Sequence, residues 1–308
     1  MRIAFLHKGT GYGGTDHQAE LLKDELRRLG YIVDHFTKPT DLSVFDIAVL
    51  LHLNIPDTKD FYLNCKAYNK PYVVKTIWSV WDALDFVYQI AQDASVLFCE
   101  SPKEKTILIE KLSRQVPNVA GKIKIVLPAV DPVFKDVGKP VNERRLVHCN
   151  GRYVPKKRML DVLCACKDLN LPVSVSGYPQ VESYYKECLD VGYGKVLGEL
   201  GKSDLCDLLN ETRLYATASE IEICSASVSE AIACGCKVLS SDRYHPGNSN
   251  FTRAGYFTYD GSDENLKDAL KEAYCSDCSQ ENVFWTPAML ADSYHKVFLK
   301  VTKKLKFL

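Results

Sequence analysis

The sequence predicts an α/β protein made of two doubly wound domains, each with a parallel sheet covered by helices. Three observations predict this class. Short apolar runs alternate with amphipathic stretches along the chain of 308 residues, which is typical of βαβ units. The alternation is interrupted in segment 128–140, which contains three prolines and indicates a domain boundary. It then restarts at Leu146.

Length and composition agree with this class. A chain of 308 residues suggests about two domains of roughly 150 residues each. The hydrophobic fraction of 46% excludes a disordered or collagen-like chain. The balance of 39 basic and 39 acidic side chains argues against a general nucleic-acid binder, which needs a basic surplus.

The lengths of the apolar stretches predict a cytoplasmic protein. Apolar stretches all fall short of the roughly 18 residues that a membrane span needs. The first apolar run, Ile3–Leu6, is one strand long and is followed by Lys8, so it is not a secretory signal. We therefore interpret the twelve cysteines as reduced, mostly buried side chains.

The first domain is expected over residues 1–137, with a helix at Thr15–Leu29 that ends at Gly30. Its strands are predicted at Ile3–Leu6, Ile32–Phe36, Ile47–Leu51, Tyr72–Ile77, Val96–Cys99 and Ile123–Val126.

The second domain is expected over residues 138–290. Its strands are predicted at Leu146–Cys149, Val173–Ser176, Val196–Leu197, Leu214–Thr217 and Lys237–Ser240, and its helices at Met159–Leu169, Lys202–Leu209 and Ser225–Cys234. Ligands of such sheets bind beyond the carboxyl ends of the strands. With two such domains, the expected site is the cleft between them.

A glycine-rich loop, Gly9–Gly14, lies between the first strand and the first helix. Glycines let the backbone approach an anion closely, and a helix N-terminus favours negative charge. The spacing does not fit the dinucleotide pattern G-x-G-x-x-G. A plain tight turn is therefore the alternative to a phosphate-binding loop.

A second feature is the segment Gly151–Lys157, where another strand ends. Arg152 offers a planar fork for phosphate oxygens, and Lys157 offers a flexible point charge. Separated by a proline turn, the two could converge on one diphosphate. The alternative is a solvated basic turn, because Lys156 and Arg158 adjoin Lys157.

The third feature is a pair of glutamates, Glu222 in a loop and Glu230 in the first turns of the next helix. Small residues at the start of this helix, Ser225 to Ser227, leave backbone N–H groups open to a ligand. A carboxylate such as Glu230 can accept two hydrogen bonds from a ribose. The alternative is a helix-dipole interaction for Glu230 and a solvated loop position for Glu222.

These residues resemble the signature of family 4 glycosyltransferases with the GT-B fold. Glu222 and Glu230 have seven residues between them and are followed by Ala-Ile-Ala-Cys-Gly235 and Lys-Val-Leu-Ser-Ser-Asp242. Gly151-Arg152 with Lys157 is similar to that family's diphosphate-binding pair. The resemblance extends to the interdomain segment at 128–134, the loop at Gly13-Gly14, and the terminal helix that begins near Phe284-Trp285 and includes Tyr294.

The resemblance implies two Rossmann-like domains facing across a cleft, with helix 291–308 returning to the first domain. It also implies transfer of a sugar from a nucleotide-sugar to a hydroxyl acceptor, with retention at the anomeric carbon. The acceptor would be a saccharide, a lipid-linked molecule or a small molecule. The sequence contains no Asp-x-Asp motif, so we expect neither a metal nor a cofactor.

The implied roles are specific to named residues. Arg152 and Lys157 would neutralise the departing diphosphate, and Glu222 would lie near the donor sugar. These three are the expected catalytic residues. The expected donor-binding residues are Gly13, Gly14, Asp16, Gly151, Gly177, Ser225, Ser227, Val228 and Glu230.

Two other functions remain open. One is a phage-type DNA glycosyltransferase that modifies hydroxymethylated bases, for which the neutral net charge is unfavourable. The other is a non-catalytic nucleotide-sugar-binding protein, because the family commonly has a first-domain histidine near the position of Ile77-Trp78-Ser79, where this chain has none.

Two basic stretches, 103–114 and 296–306, alternate lysine with apolar residues. They could contact an anionic membrane or DNA. The alternative is a packed amphipathic helix with solvated lysines. The pair Cys275 and Cys278 forms a lone C-x-x-C, for which surface thiols are favoured over a zinc site.

Overall fold

The computed structural model describes residues 1–8, 14–53, 56–76, 85–220, 222, 224–242, 255–278 and 284–305. The chain forms two compact units, Met1–Ala129 with Trp285–Leu308, and Val130–Phe284. Each unit is built on one six-stranded sheet. The strand pairings are parallel in both sheets, so the predicted doubly wound α/β class is confirmed.

The sheet of the first unit has the strand order β2-β1-β3-β4-β5-β6. Its strands are β1 Arg2–Leu6, β2 Ile32–Phe36, β3 Ile47–Leu51, β4 Tyr72–Lys75, β5 Val96–Cys99 and β6 Ile123–Ile125. Its helices are α1 Gly14–Arg28, α2 Pro56–Ala67, α3 Asp85–Asp93, α4 Pro102–Leu112 and α5 Val119–Lys122, with a last helix, Pro287–Leu305, that is α11 in chain order.

The central strands of this sheet are apolar throughout because helices cover both faces. Strand β3 reads Ile-Ala-Val-Leu-Leu, and all five residues are buried. Alternate residues belong to two separate cores: Ala48 and Leu50 pack with α2 to α4, and Ile47 and Val49 pack with α1 and the terminal helix. The return of the terminal helix to the first unit therefore follows from the need to cover this second face.

The last residues of the first unit are anchored by Gln18 of α1. Its buried amide donates to the Ala129 carbonyl oxygen at 2.6 Å and accepts from the Ala129 N–H at 2.7 Å. Trp285 pairs with Ala129 in an isolated parallel bridge. The two chain segments of this unit are thus joined where the polypeptide leaves it and where it returns.

The sheet of the second unit has the strand order β12-β11-β10-β7-β8-β9. Its strands are β7 Leu146–Asn150, β8 Val173–Ser176, β9 Lys195–Val196, β10 Thr212–Thr217, β11 Lys237–Ser241 and β12 Tyr256–Tyr259. Its helices are α6 Met159–Asp168, α7 Glu182–Asp190, α8 Lys202–Asn210, α9 Ala226–Ala233 and α10 Asp263–Cys275.

The boundary between the units lies earlier in the chain than the expected division at residue 137. Val130 and Phe134 are buried in a core of the second unit. Arg144, 1% exposed, pairs with Asp136 at 2.9 Å and donates to the Cys234 carbonyl oxygen at 2.6 Å. These contacts fix residues 130–137 to the second unit. At the other end, the return segment begins at Trp285 rather than at residue 291.

The predicted strands agree with the structure to within a residue or two at most ends, although Ile77 lies outside the described residues. The Ser225–Cys234 helix is slightly shorter than predicted, because Ser225 is its N-cap rather than part of it. Helices α2, α3, α5, α7 and α10 and strand β12 were not predicted. Helix α7 buries only Tyr184 and Cys188, so its apolar periodicity is too short to be recognised in the sequence.

Both basic stretches are amphipathic helices packed in the first unit. Leu108 and Leu112 of α4 are buried, and so are Tyr294 and Phe298 of the terminal helix. Their apolar faces are thus in the core, which favours the packed-helix interpretation over membrane contact. Among the described residues, no helix combines the length and the apolar character needed to cross a bilayer.

All twelve cysteines are free thiols, and eight of them are buried, as expected for reduced apolar side chains. Cys278 Sγ lies 2.9 Å from Ser276 Oγ, and Cys275 is exposed. Within the described parts of the chain, no three His, Cys, Asp or Glu side chains converge as metal ligands. The zinc interpretation of Cys275 and Cys278 therefore has no support.

Lys237 of β11 secures the C-terminal end of α10. Its fully buried ammonium donates to the carbonyl oxygens of Ala273 at 2.5 Å, Tyr274 at 3.0 Å and Ser276 at 2.7 Å. A cation there satisfies the carbonyl groups that a helix leaves unpaired at its last turn.

Replacement of Lys237 by methionine retains the aliphatic stem and removes these hydrogen bonds. We expect Lys237→Met to lower the free energy of unfolding by about 3 kcal/mol, because the buried carbonyl groups lose a charged donor. The matched control is Lys267→Met, which removes an exposed lysine that pairs with Asp168 and should change stability by less than about 0.5 kcal/mol. Urea denaturation measures both. If Lys237→Met and Lys267→Met changed the free energy of unfolding equally, the three carbonyl contacts would contribute nothing to stability.

Candidate active site

The predicted donor residues of the second unit gather at the carboxyl edge of its sheet. Strand β7 is followed by Gly151, β8 by Gly177, and β10 by the loop that contains Glu222. Strands β8, β7 and β10 are neighbours in the sheet. Parallel order therefore brings three segments that are far apart in the sequence to one edge, as the rule for ligand sites in such sheets requires.

Gly177 lets the ends of β7 and β8 come into direct backbone contact. Its φ is +145°, and a Cβ atom there would lie 1.6 Å from the Gly151 carbonyl oxygen. The Gly177 N–H donates to the Gly198 carbonyl oxygen at 3.0 Å, and the Gly151 N–H donates to that of Ser176. Gly177 is thus required for the shape of this edge, a structural role that suffices to explain its presence.

The segment after Gly151 is a rigid turn held from both ends. Tyr153 is fully buried, and its hydroxyl donates to the Leu197 carbonyl oxygen at 2.6 Å. Arg158 adopts the left-handed conformation at φ +50°, and its guanidinium donates to Asp161 at 2.6 Å and to the Gly261 carbonyl oxygen at 2.9 Å. The neighbouring basic residues therefore differ in role. Arg158 holds the turn in place, whereas Lys157 lies at the candidate site.

Lys157 and Glu222 form an ion pair at the centre of this edge. Both side chains are largely buried, with exposed fractions of 20% and 15%, and the Ser219 hydroxyl donates to the same Glu222 oxygen at 3.2 Å. The Lys157 stem packs over Gly151. Burial, reinforced by the nearby Arg152, lowers the pKa of Lys157 to about 8.

Arg152 lies on the exposed side of the same turn. Its guanidinium donates to the Gln180 side chain at 3.0 Å. It is close enough to Lys157 to lower the pKa of that group. Two cations beside each other, one with an exposed guanidinium, form a local positive field in a protein with no net charge.

The Tyr215 hydroxyl joins the end of β7 to the start of α9. It accepts from the Asn150 N–H at 3.3 Å and lies 3.0 Å from the Asn150 carbonyl oxygen and 2.8 Å from Ser227 Oγ. Ser227 Oγ in turn lies 2.8 Å from Ser225 Oγ. From the sequence, Tyr215 was predicted only as part of a strand. A hydroxyl-bearing aromatic side chain within a largely buried strand is the signal that could have identified it.

Within the described parts of the chain, the first backbone N–H groups of helix α9 have no hydrogen-bond acceptor. Ser225 is its N-cap residue but makes no capping hydrogen bond through its side chain, which is engaged with Ser227 instead. The first N–H groups of a helix have no partner within it, so those of the first turn are free to bind an anion or a hydroxyl. Val228 is fully buried in the core, so only its backbone can serve such a site.

Glu230 stands one turn further along α9, with a partly buried carboxylate. Burial raises the pKa of Glu230 to about 7; Lys202 opposes this and Asp131 adds to it. Lys202 is itself paired with Asp131 at 2.8 Å. None of the described residues donates a hydrogen bond to the Glu230 carboxylate, which is therefore available to a ligand.

The second unit matches the model of a known protein family. The family described as glycosyl transferases group 1 matches residues 130–283, a range that contains the whole carboxyl edge just described. The chain belongs to this family. It is a glycosyltransferase.

Solved structures of other glycosyltransferases share the fold of this chain over its whole length. The Anabaena protein HepE, in complex with UDP and glucose, is 15% identical, with full coverage of both chains and a TM-score of 0.71. Sucrose-phosphate synthase from Thermosynechococcus elongatus is 14% identical over 99% of this chain and 98% of its own, with a TM-score of 0.73. The GT-B architecture of this glycosyltransferase is thereby established.

A third neighbour was solved together with DNA. This α-glucosyltransferase, in complex with UDP and a DNA 13-mer, is 13% identical over 97% of this chain and 100% of its own, with a TM-score of 0.65. No curated protein sequence matches this glycosyltransferase significantly.

The remaining predicted residues of this glycosyltransferase belong to the first unit. Gly14 begins α1, and Asp16 in its first turn contacts His7, the residue after β1, at 2.5 Å between Asp16 Oδ1 and His7 Nε2. Gly13 lies outside the described residues. Asp16 thus contacts His7, a contact that was not predicted from the sequence.

The contact between Gly177 and Gly151 provides a stability test at the site. We expect Gly177→Ala to lower the free energy of unfolding by at least about 2 kcal/mol, because the added Cβ collides with backbone and the residue must keep a positive φ. Gly198→Ala is the control, since a Cβ there meets nothing within 4 Å. Thermal denaturation compares the two variants. If alanine were tolerated equally at both positions, the described edge would be incorrect.

Proposed function

We propose that this glycosyltransferase is a retaining, metal-independent enzyme that moves a sugar from a nucleotide-sugar to a hydroxyl acceptor. The observation that carries the proposal is the contact of Lys157 with Glu222 beside Arg152. It supports a donor site in which cations for a diphosphate and a carboxylate for a sugar are immediate neighbours.

The diphosphate is proposed to bind Arg152 and Lys157. Negative charge develops on this leaving group as the bond to the sugar breaks, and positioned cations stabilise such charge most effectively. A diphosphate beside Lys157 would compete with Glu222 for the ammonium. The open N–H groups at the start of α9 supply further donors of fixed direction.

Glu222 is proposed to act on the donor sugar. Once the diphosphate takes over the Lys157 ammonium, the carboxylate keeps the Ser219 hydroxyl as a donor and can accept hydrogen bonds from sugar hydroxyls. A carboxylate there also stabilises positive charge that develops at the anomeric carbon. Retention of the anomeric configuration is proposed from the resemblance of the Glu222 and Glu230 spacing to the family 4 signature.

Glu230 is proposed to bind the ribose of the donor. Its carboxylate is partly buried and has no donor among the described residues, and a vicinal diol can supply two hydrogen bonds. Hydrogen bonds to the ionised form would lower the pKa of Glu230 from about 7. Donor binding is therefore coupled to loss of a proton from this residue.

Metal independence is proposed because two side chains can do the work of a divalent ion. Arg152 and Lys157 together carry the charge that Mg²⁺ would bring to a diphosphate. The chain also lacks an Asp-x-Asp motif.

The function is tested first with a panel of nucleotide-sugars. A donor at about a hundred times its dissociation constant should stabilise the protein by about 2.7 kcal/mol, which a thermal-shift assay detects. The purified protein should then release nucleoside diphosphate from that donor in excess chelator, and Glu222→Ala should abolish release. Binding without turnover would indicate the non-catalytic alternative. Activity that requires added metal would contradict metal independence.

The pH dependence of donor binding tests the roles of Glu230 and Lys157. Glu230 is ionised only above about pH 7, and Lys157 is protonated only below about pH 8. Affinity for the nucleotide-sugar should therefore be greatest between these values and fall on both sides.

Glu230→Gln should remove the acidic limb of this profile and weaken the ribonucleotide donor more than its 2′-deoxy analogue. Isothermal titration calorimetry at a series of pH values measures both effects. If the Glu230→Gln variant gave the same pH profile as the original protein, with equal losses for both nucleotides, the ribose role would be excluded. Glu220→Gln, an exposed acid of the neighbouring loop, is the control.

A further inference from the structure

One face of the second sheet carries polar side chains in its interior. His148 and Asn150 are two residues apart on β7, so both lie on this face. In the strand register, Ser174 and Ser176 of β8 are their partners. We refer to Ser174, His148, Ser176 and Asn150 as the polar row. The opposite face of the sheet is apolar and belongs to one core, with Val147, Cys149, Val173, Val175, Leu214 and Ala216.

The polar row is buried except at its last member. The side chains of His148, Ser174 and Ser176 are 0% exposed, whereas Asn150, at the carboxyl end of β7, is partly exposed. Buried polar groups cost free energy unless they are hydrogen-bonded, and apolar side chains would avoid this cost. Packing of the core therefore does not require the polar row, which leads from the interior of the sheet to its carboxyl edge.

The hydrogen bonds of the polar row all point toward Asn150. The Ser176 hydroxyl donates to Asn150 Oδ1 at 3.0 Å. A hydroxyl has a single hydrogen, so Ser176 Oγ accepts from His148 Nε2, which lies 3.1 Å away. Because Nε2 carries the proton, Nδ1 accepts from the Ser174 hydroxyl at 2.8 Å. Burial lowers the pKa of His148 to about 4, so the neutral ring keeps this tautomer at pH 7.

The Asn150 amide is held by these bonds and still has free donors. Its oxygen is fixed by Ser176, and its backbone N–H and carbonyl groups contact the Tyr215 hydroxyl at 3.3 and 3.0 Å. Within the described parts of the chain, the Nδ2 group has no acceptor. An oriented NH2 group with two N–H donors therefore lies at the carboxyl edge.

The neighbours of Asn150 indicate what this group binds. Gly151 and Arg152 follow it directly in the sequence, and the stem of Lys157 packs over Gly151. The two cations attract anionic oxygens to this edge, and an N–H group donates more strongly to an anionic oxygen than to a neutral one. Asn150 has no charge, so it adds a directed donor without adding to the repulsion between the cations.

We propose that Asn150 is a further donor-binding residue whose amide donates to a phosphate oxygen of the nucleotide-sugar, and that His148 is a positioning residue that fixes this amide through Ser176. The inference rests on the proposed function, because it adds a contact to the diphosphate site of that reaction. His148 itself does not touch the donor. The proposal explains why a buried histidine and two buried serines occupy a face that apolar residues would fill.

The Asn150 contact is tested by isothermal titration calorimetry on the full chain, with the tightest ligand among UDP, ADP, GDP, CDP and dTDP. Asn150→Ala removes the amide, and we expect the dissociation constant to rise at least about tenfold, as for loss of a hydrogen bond to a charged group. Asn150→Asp keeps an acceptor for Ser176 but has no N–H donors. We expect a larger rise in this variant, because its charge repels the diphosphate.

Two controls locate the effect at the phosphates. The nucleoside of the same ligand, measured by competition, should bind the Asn150 variants within about twofold of its affinity for the original protein. Asn170→Asp adds the same charge at an exposed position before β8, at the amino edge of the sheet, and should not change the affinity for the diphosphate.

The outcomes separate the Asn150 contact from the proposed function. Unchanged affinity of Asn150→Ala for the nucleoside diphosphate would overturn the contact, even if Asn150→Asp lost affinity. Equal losses for the nucleoside and its diphosphate would overturn it too. If none of these nucleoside diphosphates bound the original protein, the proposed function would fail instead.

The positioning role is tested with two replacements of His148 that differ in one hydrogen bond. His148→Gln places an amide N–H near the position of Nε2 and can still donate to Ser176, whereas His148→Leu cannot. We expect the leucine variant to raise the dissociation constant of the diphosphate about fivefold and the glutamine variant to stay within about twofold. The nucleoside should bind both variants as it binds the original protein. Equal effects of the two replacements would show that His148 only fills space.

The tautomer of His148 gives a second, spectroscopic test that needs no stable variant beyond His148→Gln. Nitrogen-15 magnetic resonance of the original protein, with the His148 signals assigned by their loss in His148→Gln, should show a protonated Nε2 and an unprotonated Nδ1. A proton on Nδ1 would reverse the direction of the polar row and overturn the positioning role.

Discussion

The ion pair of Lys157 and Glu222 is the interaction on which the proposed donor site depends. Each group is largely buried, and removal of one partner would leave a buried charge that costs several kcal/mol. The pair therefore fixes the turn after β7 against the loop after β10. A second contact, from the Glu220 N–H to the Lys156 carbonyl oxygen at 2.9 Å, ties the same two segments. The proposed catalytic groups are thus positioned by the fold and by each other.

Such a pair also makes a ligand-dependent exchange possible. A charged ligand that binds Lys157 replaces Glu222 as its partner and so changes what the carboxylate can do. The free energy lost when the ion pair separates is offset by the new contacts that Lys157 makes with the ligand. The net free-energy change of this exchange is therefore small. Tyr215 provides the rigid frame for this exchange, because its buried hydroxyl links the end of β7 to the start of α9.

Much of the fold could be predicted from the sequence, because parallel strands buried on both faces are continuous apolar runs. Strands such as β3 and β8 were located to the residue. Helix α7 was missed because it buries few residues, and β12 because its first three residues are not fully buried. For the site, the glutamate spacing and the Arg152 to Lys157 segment predicted residues that the structure brings together at one edge of the sheet. Tertiary contacts such as those of Tyr215 produce no periodic pattern in the sequence.

A crystal structure of the protein with a bound nucleoside diphosphate would show whether Arg152 and Lys157 hold the diphosphate. We expect phosphate oxygens within hydrogen-bond distance of both side chains, ribose hydroxyls on the Glu230 carboxylate, and Glu222 separated from the Lys157 ammonium. A diphosphate bound elsewhere in the chain, or bound with the pair of Lys157 and Glu222 intact, would contradict it.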